Sequence, residues 1–384
     1  MKQVYHWQKR AFLLLSVSVI VILVGAGWLL HPWWVITNSP LVSQLTISSP
    51  RFSGSSGQES RFKDLRLIGG FSVGTPAEVA EAAALGMRVV FEYGNPPSPE
   101  SELGQALQAA HMQVIDGYIS SYLQYYECHR TKTVKPPPPG AHPYCGRDSV
   151  PIPSEEALLQ LVRRHLEETQ SNPLILGYWV LDDWVLWDPG SARELLIKFH
   201  DLIQQYTPQR PAICGFGASP PSGFDTGWHD EVAANFTPEG CDMIGLYIFT
   251  VLQAKEDASA SRYDWSMRST LNAMFTSLQK RGWSYTQTPL IGIAQAFGGP
   301  STRAGLSWPL PSTADIVQQS QSFCQHGATG IAYYGWDANL YSSQTQTPAN
   351  NRAIQEGIRQ GIAACQHIWS TAEQGTPLAM DQVR

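Results

Sequence analysis

The chain has 384 residues, a net charge of −6, only 15% charged residues, and 13 Trp, 15 Tyr and 13 Phe. That length holds far more than a minimal core, and one large α/β domain uses most of it. The acidic balance, with no Lys/Arg stripe, excludes a nucleic-acid partner, and no cysteine spacing resembles a zinc site.

Residues 1–10 carry Lys2, Lys9 and Arg10, and residues 11–30 are twenty uncharged, mostly apolar positions. Such a helix spans a hydrocarbon core of about 30 Å. The basic flank predicts a cytoplasmic N-terminus with the remainder outside the membrane. A signal peptide cleaved near Val24–Gly25–Ala26 is the alternative. The apolar run continues through Trp28, Leu29 and Leu30, which favours an uncleaved, single-pass anchor with the bilayer as a partner. In either case the bulk of the chain is exported. Residues 31–64 are rich in Ser, Gly and Pro, with a central SGSSGQES, and read as a flexible linker.

From residue 65 short apolar runs alternate with helical patterns. The first strand is expected over 65–71, and Thr75-Pro76-Ala77-Glu78 forms a capping box with proline at the first helical position. The helix ends at Gly86, and 87–93 is the next strand, which completes one βαβ unit. A helix over 100–111 leads to strand three at 112–118. A helix over 154–170 leads to strand four, which starts at Leu174. Asp188-Pro189 caps a helix running to Tyr206. Strands five to eight fall at 211–216, 242–249, 289–297 and 328–335, with helices at 230–235, 266–281, 312–326 and 350–365.

Eight strand–helix repeats over 65–369 predict a (β/α)₈ TIM barrel, with 370–384 as a C-terminal tail. The doubly wound alternative lacks its Gly-rich fingerprint: Gly69, Gly70 and Gly74 have the wrong spacing. Long loops follow several strands, at 119–153, 217–240, 250–264 and 298–311, and gather function at one barrel face. The first of these holds Tyr122, Tyr125, Tyr126 and four consecutive prolines. Six cysteines fit an oxidising compartment. Cys128 with Cys145 would close the proline-rich loop, and Cys324 with Cys365 would link two helices. Cys214 reads as a small buried hydrophobe within a strand.

The most informative segment is LILGYWVLDDW, an apolar run ending in the adjacent carboxylates Asp182 and Asp183. A buried strand does not tolerate two carboxylates unless its end opens onto water or a ligand. GYWVLDDW resembles the "GYWLxDEP" ending of strand four in glycoside-hydrolase-like TIM barrels. DMIGLYIFT at 242–250, IGIAQAFGG at 291–299 and GATGIAYYGWD at 327–337 are similar to strands six, seven and eight of that superfamily.

The resemblance implies an O-glycosyl hydrolase acting on a carbohydrate substrate, with no cofactor, no metal and no obligate protein partner. It matches Asp183 to the acid that protonates the leaving oxygen, and Asp182 to the residue before it that hydrogen-bonds within the site. A general acid needs a raised pKa, which the Asp182 charge and desolvation by Trp179, Trp184 and Trp187 would supply. The superfamily's strand-seven nucleophile is a glutamate, whereas this chain has Gln295, which cannot form a glycosyl ester. An inverting base is then expected at Glu92, closing strand two, or at Asp116, closing strand three. Either would lie about 6.5–9.5 Å from the acid. Tyr247, Gln295, Tyr334, Trp336, Trp179 and Asp116 are expected to line the substrate cleft, with Trp336 as the sugar platform. The alternative function is a non-catalytic glycan-binding barrel.

Overall fold

The computed structural model describes residues 60–134, 152–182, 190–218, 228–249, 260–300, 307–337 and 343–373. The expected anchor at 11–30, Asp183, Asp188, Pro189 and the four prolines lie outside these. Among the described residues no helix is long and apolar enough to cross a membrane.

The elements follow one another as β1 (Ile68–Phe71), α1 (Pro76–Ala84), β2 (Val89–Glu92), α2 (Glu102–Ala109), β3 (Gln113–Asp116) and α3 (Tyr118–Val134). Next come α4 (Glu155–Thr169), β4 (Ile175–Leu181), α5 (Arg193–Tyr206), β5 (Ala212–Ala218), α6 (Trp228–Ala233) and β6 (Met243–Ile248). The C-terminal part is α7 (Ala260–Gln279), β7 (Leu290–Gln295), α8 (Thr313–Gln325), β8 (Gly330–Tyr334) and α9 (Arg352–Glu373). A two-stranded antiparallel ribbon, Gly299–Pro300 with Ser307–Trp308, follows β7.

The strands close in the order β1-β8-β7-β6-β5-β4-β3-β2, all parallel, so the chain forms the expected eight-stranded barrel. Local chemistry sets the first unit. Thr75 accepts from the Glu78 amide at 3.2 Å, and the Glu78 carboxylate accepts from the Thr75 amide at 3.0 Å. Gly86 then ends the turn at φ 102°, a conformation that favours glycine. Helix α3 replaces the start of the loop expected at 119–153. Its inner face buries Ile119, Leu123 and Glu127 at helical spacing, and the charged third member conceals the pattern in the sequence. Helix α9 runs on to Glu373, past the expected start of the tail.

Strand alternation divides the core into two. Residues such as Val90, Val114, Tyr178 and Ile244 face the helices, while Phe91, Ile115, Trp179, Met243 and Ile293 fill the lumen. Phe62 joins the lumen cluster ahead of β1, and the Ser60 amide donates to the Thr286 carbonyl at 2.8 Å. Residues 60–64, read from sequence as the end of the linker, are therefore packed against the barrel.

Two disulfides are present among the described residues. Cys324–Cys365 joins α8 to α9 as anticipated, with its Cα atoms 5.5 Å apart. Cys214 corrects its sequence reading: it is buried but bonded to Cys241 across a Cα separation of 5.7 Å, tying β5 to the residue before Asp242. In the chain-entropy model each link contributes about 3–4 kcal/mol.

The lumen accommodates Trp179 because its neighbours are glycines. A Cβ on Gly215 would lie 2.2 Å from the indole Cζ2, and one on Gly245 would lie 2.3 Å from Cη2. Gly245→Ala is therefore expected to destabilise the fold by about 1–3 kcal/mol through overpacking. Denaturant unfolding followed by Trp fluorescence measures this, and an unchanged midpoint would contradict the fit.

Candidate active site

Strand β4 carries Trp179 into the lumen and then shifts register against β5 between Trp179 and Leu181. The next residue, Asp182, is half-buried at the barrel mouth. Its Oδ1 accepts from the Trp179 Nε1–H at 3.1 Å, the Tyr247 hydroxyl at 2.9 Å and the Tyr93 hydroxyl at 3.2 Å. The two hydroxyls also lie 2.9 Å from each other. Two phenol protons face three O···O contacts, so with the carboxylate ionised no more than two of the three are hydrogen bonds at once.

Tyr93, Asp182 and Tyr247 lie at the ends of β2, β4 and β6, and Tyr334 completes the set at β8. Contributions from alternate strands are how such a barrel builds one layer. Beneath them Phe71 packs 5.7 Å from Trp179 edge-on and 4.5 Å from Phe91 face-on. Above, the half-buried rings of Phe249, Trp308 and Tyr334 form an aromatic rim. Phe249 stands at 86° to Trp308 at 6.1 Å and lies 5.6 Å from Tyr334, itself 5.6 Å from Tyr247.

The structure brings Trp179, Asp182, Tyr247 and Tyr334 together, but Trp179 is 1% exposed and packs in the lumen instead of lining the cleft as expected. Glu92 and Asp116 do not join them. Both have the outward parity of Val90 and Val114, and they are register partners on adjacent strands. Asp116 is fully buried, and its Oδ2 meets His165 Nε2 of α4 at 2.6 Å. Its Oδ1 accepts from the Tyr118 amide at 2.9 Å, and the Tyr118 ring stacks on His165 at 4.2 Å. Asp116 therefore clasps β3 to α4 and is not available as a cleft residue. Glu92 bends to accept from the Gly94 amide at 2.9 Å. Burial raises its carboxyl pKa above the ordinary value of 4.5, the Gly94 and Tyr93 backbone hydrogen bonds oppose that, and the Asp116 charge adds to it.

Gln295 is fully buried, and its Nε2 donates to the carbonyls of Phe297 at 2.9 Å and Pro309 at 3.0 Å. Its amide pins the loop after β7 and is not presented to a ligand. Trp336 is likewise 0% exposed, so core packing prevails over the sugar platform. Phe71, Tyr93, Phe249 and Trp308 escaped the sequence reading, although strand parity already placed Tyr93 on the opposite face from Glu92. Among the described residues no group of His, Cys, Asp and Glu is arranged to hold a metal ion.

No family model and no curated protein matches the chain. Solved structures do. A β-galactosidase from the psychrophilic Marinomonas ef1 aligns over 81% of this chain and 61% of its own, at 12% identity and a TM-score of 0.50. What the two chains share is the closed eight-stranded barrel. A β-galactosidase from the Antarctic haloarchaeon Halorubrum lacusprofundi aligns over 79% of this chain and 58% of its own, at 13% identity and a TM-score of 0.49. A β-glucuronidase from Ruminococcus gnavus aligns over 79% of this chain and 50% of its own, at 12% identity and a TM-score of 0.45. The chain thus spans less than two thirds of the length of these neighbours, and the likeness is one of fold.

The Glu92 shift has a direct consequence for stability. A carboxyl whose folded pKa lies above its unfolded value binds more protons when folded, so stability falls as pH rises through the folded pKa. Glu92→Gln removes that loss. The variant is expected to gain stability over the native chain above pH 4.5, with the gain growing until the folded pKa is passed. Thermal unfolding across pH 4–8 checks this, and a pH-independent difference would contradict it.

Proposed function

We propose that the chain is a glycoside-hydrolase-like enzyme that cleaves glycosidic bonds of an extracytoplasmic polysaccharide or glycan. The observation that carries this reading is the placement of Asp182 at the C-terminal end of β4, within an aromatic-lined barrel mouth. In these barrels that end of the strands is the reactive face. Asp183, the next residue, takes the role of general acid, and Asp182 is its positioning neighbour. Phe249, Trp308 and Tyr334 supply ring faces for the sugar. The release of reducing ends from a glycan panel tests the reading. Asp183→Asn is expected to lower the rate by about a hundredfold or more, the range set by general acid catalysis. Unchanged activity in that variant would remove Asp183 from the mechanism.

A second reading is a glycan-binding barrel without catalysis. It is favoured by Gln295 at the end of β7 and by the outward parity of Glu92 and Asp116. Binding with no hydrolysis across the whole panel would select it.

The site is proposed to work outside the cytoplasm, held by the apolar segment 11–30 or released after its cleavage. Two buried disulfides support that compartment. Protease added to intact cells is expected to release an anchored barrel through the 31–64 linker, and full protection would contradict the assigned topology.

A further inference from the structure

The end of β2 is held from outside the barrel. The Glu92 carbonyl accepts from the Gly117 amide at 2.6 Å, and the Tyr93 carbonyl accepts from the Ser121 hydroxyl at 2.9 Å. The Gly94 amide donates to the Glu92 carboxylate at 2.9 Å. Gly117 and Ser121 both belong to the start of α3, and the approach is close enough to require glycine. A Cβ on Gly117 would lie 2.5 Å from the Glu92 carbonyl oxygen and 3.3 Å from the Tyr93 Cα.

Asp116 holds that start in turn. Strand β3 gives way to α3 within one residue, and the first amides of a helix have no partner inside it. Asp116 Oδ1 takes the Tyr118 amide at 2.9 Å, and Oδ2 meets His165 Nε2 at 2.6 Å. Both side chains are buried, and the Tyr118 ring stacks on the imidazole at 4.2 Å. A buried carboxylate is costly unless its oxygens are satisfied, so His165 on α4 fixes Asp116 and Asp116 fixes the turn. Ser121 moves with that turn, since its amide donates to the Gly117 carbonyl at 3.1 Å.

The same backbone carries a side chain into the mouth. Tyr93 packs against the lumen cluster, and its hydroxyl lies 3.2 Å from Asp182 Oδ1 and 2.9 Å from the Tyr247 hydroxyl. Groups at a site are held in register when the residues behind them are themselves locked by hydrogen bonds. We infer that Asp116 and His165 are positioning residues for the mouth: acting through the start of α3, they set where the Tyr93 hydroxyl stands against Asp182. For activity the inference rests on the glycosidase reading, in which Asp182 is the neighbour of the acid; for the placement of Tyr93 it does not.

Fluorine NMR on the full-length chain in detergent tests this, with meta-fluorotyrosine in place of Tyr93. The same label in place of Tyr333, buried on β8 with its hydroxyl 2.9 Å from Ser320, is the reference. His165→Asn falls short of Asp116 and is expected to move the Tyr93 resonance while leaving that of Tyr333 in place. His165→Gln returns an N–H donor to the position of Nε2 and is expected to restore the native resonance. Should His165→Asn fail to fold, Ser121→Ala, at a half-buried position, removes the bond to the Tyr93 carbonyl and is expected to move the same resonance. In the glycan assay His165→Asn and Ser121→Ala are expected to lower kcat about tenfold with KM within about twofold, and His165→Gln to recover it. A Tyr93 resonance unmoved by these variants overturns the inference. So does movement of both labels together, which marks general loosening, or a failure of His165→Gln to restore the signal. Movement at Tyr93 alone, with no glycan hydrolysed by the native chain, upholds the positioning and overturns the enzymatic reading.

Discussion

A closed barrel of eight strands must fill its own lumen, and here the largest of the residues that do so is Trp179. Trp179 occupies the space that Gly215 and Gly245 leave on the two following strands, with Phe71 and Phe91 packed against its edge. The indole is thereby fixed in position, and its N–H is aimed at the end of its own strand. Asp182 sits where that N–H points. The carboxylate at the mouth is thus oriented from below by the packing of the core, and from the sides by two tyrosines on β2 and β6. A change in how the lumen is filled would move that carboxylate.

Period-two alternation accounts for the rest of the site's chemistry. Residues one apart on a strand belong to different worlds. Glu92 looks toward the helix layer and Tyr93 toward Asp182. Asp116 serves the β3–α4 junction through His165. Among the described carboxylates Glu92, Asp116 and Asp182, it is Asp182 that meets the lumen residue Trp179.

Much of this was legible in the sequence. The capping box at Thr75, the Gly86 stop and the repeating strand–helix pattern set the barrel and the order of its strands. The Asp182–Asp183 pair at the end of an apolar run set the face. Other features left weaker traces. Helix α3 presents Glu127 where an apolar residue would have declared its inner face. The Cys214–Cys241 link joins residues that become neighbours only once β5 and β6 are side by side. Position at a strand end alone does not separate Glu92 and Asp116 from residues that face the lumen. Their parity, readable from Phe91 and Ile115, sends them outward. Gln295 and Trp336 are buried in ways no local pattern encodes: Gln295 holds the Pro309 carbonyl of the loop after β7, and Trp336 packs in the core.

Ring closure also has a consequence for how this chain is made. β1 finds one of its two neighbours in β2, a few residues on, but the other is β8, with Ile68 facing Ile331. Until residue 334 has emerged, the nascent sheet keeps two open edges, each a row of unpaired backbone donors and acceptors able to template association with another chain. The barrel therefore cannot be completed piecemeal from its N-terminus. The link between α8 and α9 likewise can form only after most of the polypeptide has emerged. Ring closure is in this sense a single late event, set by the circular order of the strands.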